Sequence, residues 1–298
     1  ADGALFLALG VTVCGISTGL SSPILAKGVQ HFVRSDRTGR VNATINAATS
    51  AGIILAALAA FWWTDAWRWA YSGFGILAAM AALILLVTLP DDAKSAPVSK
   101  SYTDEDIITR KTWRDLIILG GLAGVMGLVS SVYWIFAPDF AVNEGQLTSG
   151  QSSLIWLAVG LGGLYGTWAG DLIDKYGQVI SHSLSLATLS AALLILMAAP
   201  DNFLLTLISA VFFGASYMTL TGLYLVASVR ITPNQPSFGP VMPLMGASTG
   251  QMAGSPVAGW VISNYSYDTA FGIYAGIGLI TALLSLAIVR HRYAPKGF

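Results

Sequence analysis

Gly170-Asp171-Leu172-Ile173-Asp174-Lys175-Tyr176-Gly177 lies between two long apolar runs, and two aspartates, a lysine and two glycines crowd into its eight residues. The pattern predicts a tight loop between two membrane helices. Gly170 has no side chain to hold two helices apart, Gly177 permits a turn, and Asp174 carries a negative charge that suits the positive N-terminal end of a neighbouring helix. Taken alone, the octapeptide reads equally well as an ordinary polar turn. Its surroundings decide between the two.

Those surroundings are apolar. Of 298 residues, 55% are hydrophobic and 10% charged, with a mean hydropathy of +0.68. A soluble core does not absorb that much apolar surface in long uncharged runs, so the composition predicts a polytopic membrane protein whose main partner is the lipid bilayer. The net charge of zero and the lack of a basic, aromatic-interleaved run argue against a nucleic-acid partner. Cys14 is the single cysteine, and His31, His182 and His291 stand far apart, so no metal centre, haem or other cofactor is expected. The sequence opens at Ala1 without Met, and the first apolar run starts at once, which reads as a fragment.

Runs of about 20 apolar residues, the length that spans a bilayer, fall at approximately 4–32, 42–63, 69–89, 116–137, 151–171, 179–199, 203–228, 239–263 and 269–289. An all-α bundle of nine transmembrane helices is expected. Alternate loops hold Arg34, Arg37 and Arg40, then Lys94, Lys100, Arg110, Lys111 and Arg114, then Lys175, then Arg230, and finally Arg290, Arg292 and Lys296. The opposite loops hold Arg68. By the positive-inside rule the basic side is cytoplasmic, which sets Trp62, Trp63, Trp67 and Trp69 at the outer interface.

Between Asp91 and Arg114 the chain turns polar, with Pro97, serines and mixed charges. This segment reads as a solvated cytoplasmic linker (91–114) between a partial N-terminal half (1–90) and a six-helix half (115–298). Thr103-Asp104-Glu105-Asp106 could cap a short surface helix within it. An internal repeat supports the division. A shift of 200 residues sets Ala70-Tyr71 on Ala270-Phe271 and Ala82-Leu83 on Ala282-Leu283, while a slightly shorter shift sets Val33-Arg34 on Val229-Arg230. The first three helices then correspond to the last three, and three helices are expected to be missing before Ala1.

With these features in hand, the octapeptide resembles the signature loop G-x-L-x-D-K/R-x-G of the major facilitator superfamily, in its second-half copy. The whole chain is similar to helices 4 to 12 of a twelve-helix member. Trp67-Arg68-Trp69-Ala70-Tyr71 leads into helix 6, and Gly250-x3-Gly254-Ser255-Pro256-x2-Gly259 lies at the helix 11 position, whereas family antiporters carry their glycine-proline motif in helix 5. Asn42-Ala43-Thr44-Ile45-Asn46 is reminiscent of bacterial facilitators of the YbfB type. The resemblance implies a secondary transporter of a small organic solute in the bacterial inner membrane, not an enzyme. It further implies a gating latch, in which Asp174, supported by Gly170, Asp171 and Gly177, bonds Arg230 and faces the start of helix 5 at Gly39–Asn42.

Glycine and alanine recur every four residues at Gly162, Gly166 and Gly170, at Gly246, Gly250 and Gly254, and at Ala48, Gly52, Ala56 and Ala60. Such ladders let helices pack closely in lipid. Candidate cavity residues are Asn42, Asn46, Tyr133, Trp134, Tyr217, Thr221, Tyr224 and Gln251; any of them could instead bond a neighbouring helix. Lys27 lies inside the first run, where it either snorkels to the interface or attracts an anionic substrate. No carboxylate occupies the middle of a run, so proton coupling and uniport both stay open. A non-transporting subunit of a larger membrane complex is the alternative, and an enzyme would need a catalytic cluster that the sequence does not display.

Overall fold

The computed structural model describes residues 8–10, 12–17, 25, 28–29, 32–34, 37–62, 67–88, 109–233, 235 and 238–293. Lys27 and most of the first run, Trp63, and the segment from Asp91 through Ile108 lie outside the described residues. Regular structure among the described residues is helical throughout. The elements are α1 (Thr38–Trp62), α2 (Trp67–Thr88), α3 (Arg110–Asn143), α4 (Ser149–Gly163), a 3-10 segment (Leu164–Trp168), α5 (Ala169–Tyr176), α6 (Gln178–Ala198), α7 (Phe203–Ile231), α8 (Val241–Asn264) and α9 (Tyr267–Tyr293).

Six of these helices are long and apolar enough to cross a membrane: Arg40–Trp62, Arg68–Thr88, Arg110–Asn143, Gln178–Ala198, Phe203–Ile231 and Tyr267–Ala287. Of the three further runs in the sequence reading of nine, the one at 4–32 lies mostly outside the described residues. The run at 151–171 is divided between α4, the 3-10 segment and α5, and the run at 239–263 is diluted by glycine, serine, Gln251, Pro243 and Pro256. Helix α3 starts earlier than expected because Thr109 caps it, its Oγ1 accepting from Thr112 N at 3.2 Å. Arg110, Lys111 and Arg114 are therefore helical and not part of an irregular linker.

The buried core is built mainly from α3, α6, α7 and α9, with Tyr133, Phe140, Phe213 and Phe271 at its centre. Backbone contact is closest between α3 and α8. A Cβ placed on Gly246 would strike the carbonyl of Gly120, one on Gly250 that of Gly124, and one on Gly127 that of Ala247. The ladder of Gly246, Gly250 and Gly254 is thus matched by a second one on α3, at Gly120, Gly124 and Gly127, that the sequence reading did not single out.

Two other ladders fall differently from expectation. Gly162 and Gly166 press on Val211 and Met218 of α7, while the glycines that meet α1 are Gly160 and Gly163, against Ile54 and Ser50. On α1 itself Ala48, Gly52, Ala56 and Ala60 are exposed, and nothing lies within reach of Gly52. Its packed face carries Asn42, Ala47, Ser50 and Ala57 instead, against α4, the 3-10 segment and α7. Among the described residues, the apolar span of α2 is unburied and its main helix contact is with α1.

Candidate functional site

Helix α7 organises the site. Phe213, Tyr217 and Thr221 are spaced four apart and so share one face, each step rising about 6 Å. At the first step Phe213 stacks on Tyr133 at 4.0 Å, with ring planes 12° apart. The Tyr133 and Ser209 hydroxyls are 3.0 Å apart; because Ser209 donates to the Ala192 carbonyl, Tyr133 is the donor to Ser209.

The second step carries the polar part of an aromatic wall. Trp134 lies parallel to Trp156 at 5.4 Å and meets both Phe213 and Tyr217 edge to face, at 5.3 and 5.2 Å. Gln251 of α8 donates through Nε2 to the Tyr217 hydroxyl at 3.0 Å. Trp134 Nε1 is buried beside the Tyr217 hydroxyl and makes no hydrogen bond of good geometry among the described residues. Trp134, Trp156, Tyr217 and Gln251 are each only partly buried, unlike Tyr133 and Phe213 behind them.

At the third step the wall meets α1. Asn46 Nδ2 donates to Thr221 Oγ1 at 2.8 Å and to the Met218 carbonyl at 3.1 Å, and Thr221 in turn donates to that carbonyl. Asn42, one turn along α1, is 2% exposed. Tyr224, on the same side of α7, donates its hydroxyl to the Leu122 carbonyl at 3.0 Å, which makes His182 Nε2, 2.9 Å away, the donor to it. Both hydrogen-bonding roles of Tyr224 are therefore filled from within the protein.

The octapeptide forms most of α5 and is a helical turn, not an open loop. Gly177 ends it with φ +81°, a value that a side chain would resist, and α6 starts at the next residue. Asp174 Oδ1 accepts from Arg230 Nη2 at 2.8 Å, which joins α5 to α7. The pair that joins this turn to α1 is a different one: Arg40 Nη2 donates to Asp171 Oδ1 at 2.9 Å. Gly170 is buried between these contacts.

Arg40 and Trp156 are the site residues that sequence reasoning passed over. Arg40 lay within the segment expected to meet the octapeptide, but only as backbone; its charge was the available signal. Trp156 sits mid-run, where an aromatic residue has no pattern to distinguish it from a lipid-facing one.

The sequence matches the family model described as Major Facilitator Superfamily over residues 2–237. No curated protein matches the chain.

Proposed function

Because the chain belongs to the Major Facilitator Superfamily, a family of membrane transporters and not of enzymes, we propose that it is a secondary active transporter that carries a small organic solute by alternating access. In this reading α1 and α2 are helices 5 and 6 of a twelve-helix plan. Helix α3 is helix 7, the interrupted α4–α5 unit is helix 8, and α6 to α9 are helices 9 to 12. The units are a partial half at 1–90, a linker at 91–114 and a six-helix half at 115–298. Packing of α1 on α4 supports the register, since helices 5 and 8 meet across the halves in this family.

The end bearing Arg40, Lys175 and Arg230 is read as cytoplasmic, in a bacterial inner membrane. Trp134, Tyr217, Gln251, Thr221 and Asn46 form the substrate wall. The observation that carries the mechanism is that, among the described residues, α1 makes polar contacts with the later half through Arg40 with Asp171 and through Asn46 with Thr221 and Met218. Both must break when α1 parts from the later half, so they favour the cytoplasm-closed state by the difference in their free energy between states. Asp174 and Arg230 separate from neither half; their pair holds α5 on α7 so that Asp171 meets Arg40.

The test places spin labels at Thr44 and Lys175, both exposed, in the protein reconstituted into liposomes. Two distance populations whose ratio follows a transmembrane solute or proton gradient are expected. One fixed distance under every gradient would overturn the alternating-access reading.

A further inference from the structure

The start of α3 turns a charged and apolar face away from the protein. Arg110, Lys111, Trp113, Arg114, Ile117 and Ile118 are all exposed, whereas Leu116 and Leu119 on the opposite side of the helix are buried. With 3.6 residues per turn the six share one side, and they are sorted along it by polarity. Ile117 and Ile118 lie inside the apolar run at 116–137, and the basic residues lie before it. At about 1.5 Å per residue, Arg110 to Arg114 stand roughly 3–9 Å beyond the start of that run. A headgroup layer is about 5–7 Å deep on each side of the hydrocarbon core. Below the two isoleucines the face continues at Gly121, where a Cβ would meet nothing within 4 Å.

The charge at this depth is fixed in position and only partly compensated. Thr109 caps the helix, so Arg110 and Lys111 project from a formed turn that contains no acid. Neither is ion-paired among the described residues. Arg114 donates through Nε and Nη2 to the same oxygen, Asp115 Oδ1, at 3.2 and 3.1 Å, which leaves its Nη1 unengaged among the described residues. Three cations against one carboxylate leave an excess of positive charge. Trp113 stands edge to face against Phe238, with ring centroids 5.5 Å apart, and so is braced at the depth where amphipathic rings anchor a span.

We propose that this face binds an anionic phospholipid, with its phosphate on Arg110, Lys111 and Arg114 and an acyl chain along Ile117, Ile118 and Gly121. Guanidinium groups match the geometry of phosphate oxygens. A zwitterionic lipid carries the same phosphate but brings an ammonium that the excess charge repels. A small inorganic anion gains nothing from the apolar strip, and ion pairs with exposed side chains in water are weak. The inference needs a chain embedded in a bilayer and does not depend on transport.

Native mass spectrometry of the purified full chain, titrated in detergent with phosphatidylglycerol or phosphatidylcholine, tests it. Phosphatidylglycerol is expected to bind at least fivefold tighter, the factor equivalent to about 1 kcal/mol for one basic residue at an anionic surface. Arg110→Gln with Lys111→Gln should lower its affinity about tenfold or more and leave the melting temperature without added lipid unchanged, both side chains being exposed. Lys175→Gln removes a positive charge from α5, away from this face, and should leave the affinity unchanged. Inorganic phosphate in large excess should displace the lipid no better than chloride at equal ionic strength. Equal affinity for the two lipids, no binding of either, an equal loss in Lys175→Gln, an unchanged affinity in the double variant, or displacement specific to phosphate would overturn the proposal.

Discussion

Arg40 of α1 reaches Asp171 of α5 at 2.9 Å, and this pair, not the one between Asp174 and Arg230, ties α1 to the turn that carries the octapeptide. Its side chains are 70% and 41% exposed. A pair so placed is worth about 0–1 kcal/mol and is screened by salt. It biases an equilibrium and does not lock it.

Asp171→Asn is therefore expected to raise the population open at the basic end by no more than about fivefold, the factor that 1 kcal/mol represents. Raised salt should bring the wild-type protein toward the same ratio. The reciprocal exchange Arg40→Asp with Asp171→Arg should restore it. Spin-label distance populations check all three, and a variant ratio equal to wild type at low salt would remove the pair from the gate.

Asp174→Asn acts on a different contact and should give a smaller change in that ratio than Asp171→Asn. With side chains 50% and 66% exposed, the Arg230–Asp174 pair contributes about 0–1 kcal/mol to holding α5 on α7. The measurement is the initial rate of uptake beside the melting temperature. Slower uptake with the melting temperature nearly unchanged is expected.

The glycines give a contrast within one protein. Gly250→Ala should lower stability by about 1–3 kcal/mol, because its new methyl would meet the Gly124 carbonyl. Gly52→Ala meets open space and should be neutral or stabilising by up to about 1 kcal/mol through helix propensity. Thermal denaturation in detergent checks both, and equal effects would mean that α3 and α8 part enough to admit a methyl group at Gly250.

Membrane character and the helical class were legible in the sequence because they depend on summed hydropathy, which needs no partner to be recognised. The turn at Gly177 was legible for a similar reason, since a positive φ is a local demand. Contacts between helices were not. The spacing of Gly246, Gly250 and Gly254 marked a close-packing face, yet nothing local says that Gly120, Gly124 and Gly127 receive it. On α1 the same spacing, at Ala48, Gly52, Ala56 and Ala60, faces outward among the described residues. Periodicity identifies a face and leaves its partner unstated. Tyr224 teaches the same lesson, for as a sequence candidate it resembled Tyr217, but His182 and Leu122 engage its hydroxyl while that of Tyr217 meets Gln251 of α8.

Tyr224→Phe should consequently be a stability variant. Removing the hydroxyl leaves the Leu122 carbonyl and the His182 N–H without their partner, at a cost of about 1–3 kcal/mol. A lowered melting temperature with the half-saturating solute concentration unchanged is expected. A changed solute affinity at constant stability would move Tyr224 into the wall.

Asn46 and Thr221 allow the sharpest test, because they belong to α1 and α7 and meet at 2.8 Å. Hydrogen bonds between membrane helices average about 0.6 kcal/mol in double-mutant cycles. Asn46 makes two, but the one to the Met218 carbonyl persists when Thr221 is changed. Thr221→Val should thus favour the open state at the basic end less than Asn46→Ala does. The double variant should fall short of the sum of the two, since the shared bond is removed only once. Spin-label ratios measured for the four proteins give the coupling directly. A coupling of zero, with both single variants shifting the ratio, would mean that the two residues act through separate contacts and that α1 is held to α7 by packing alone.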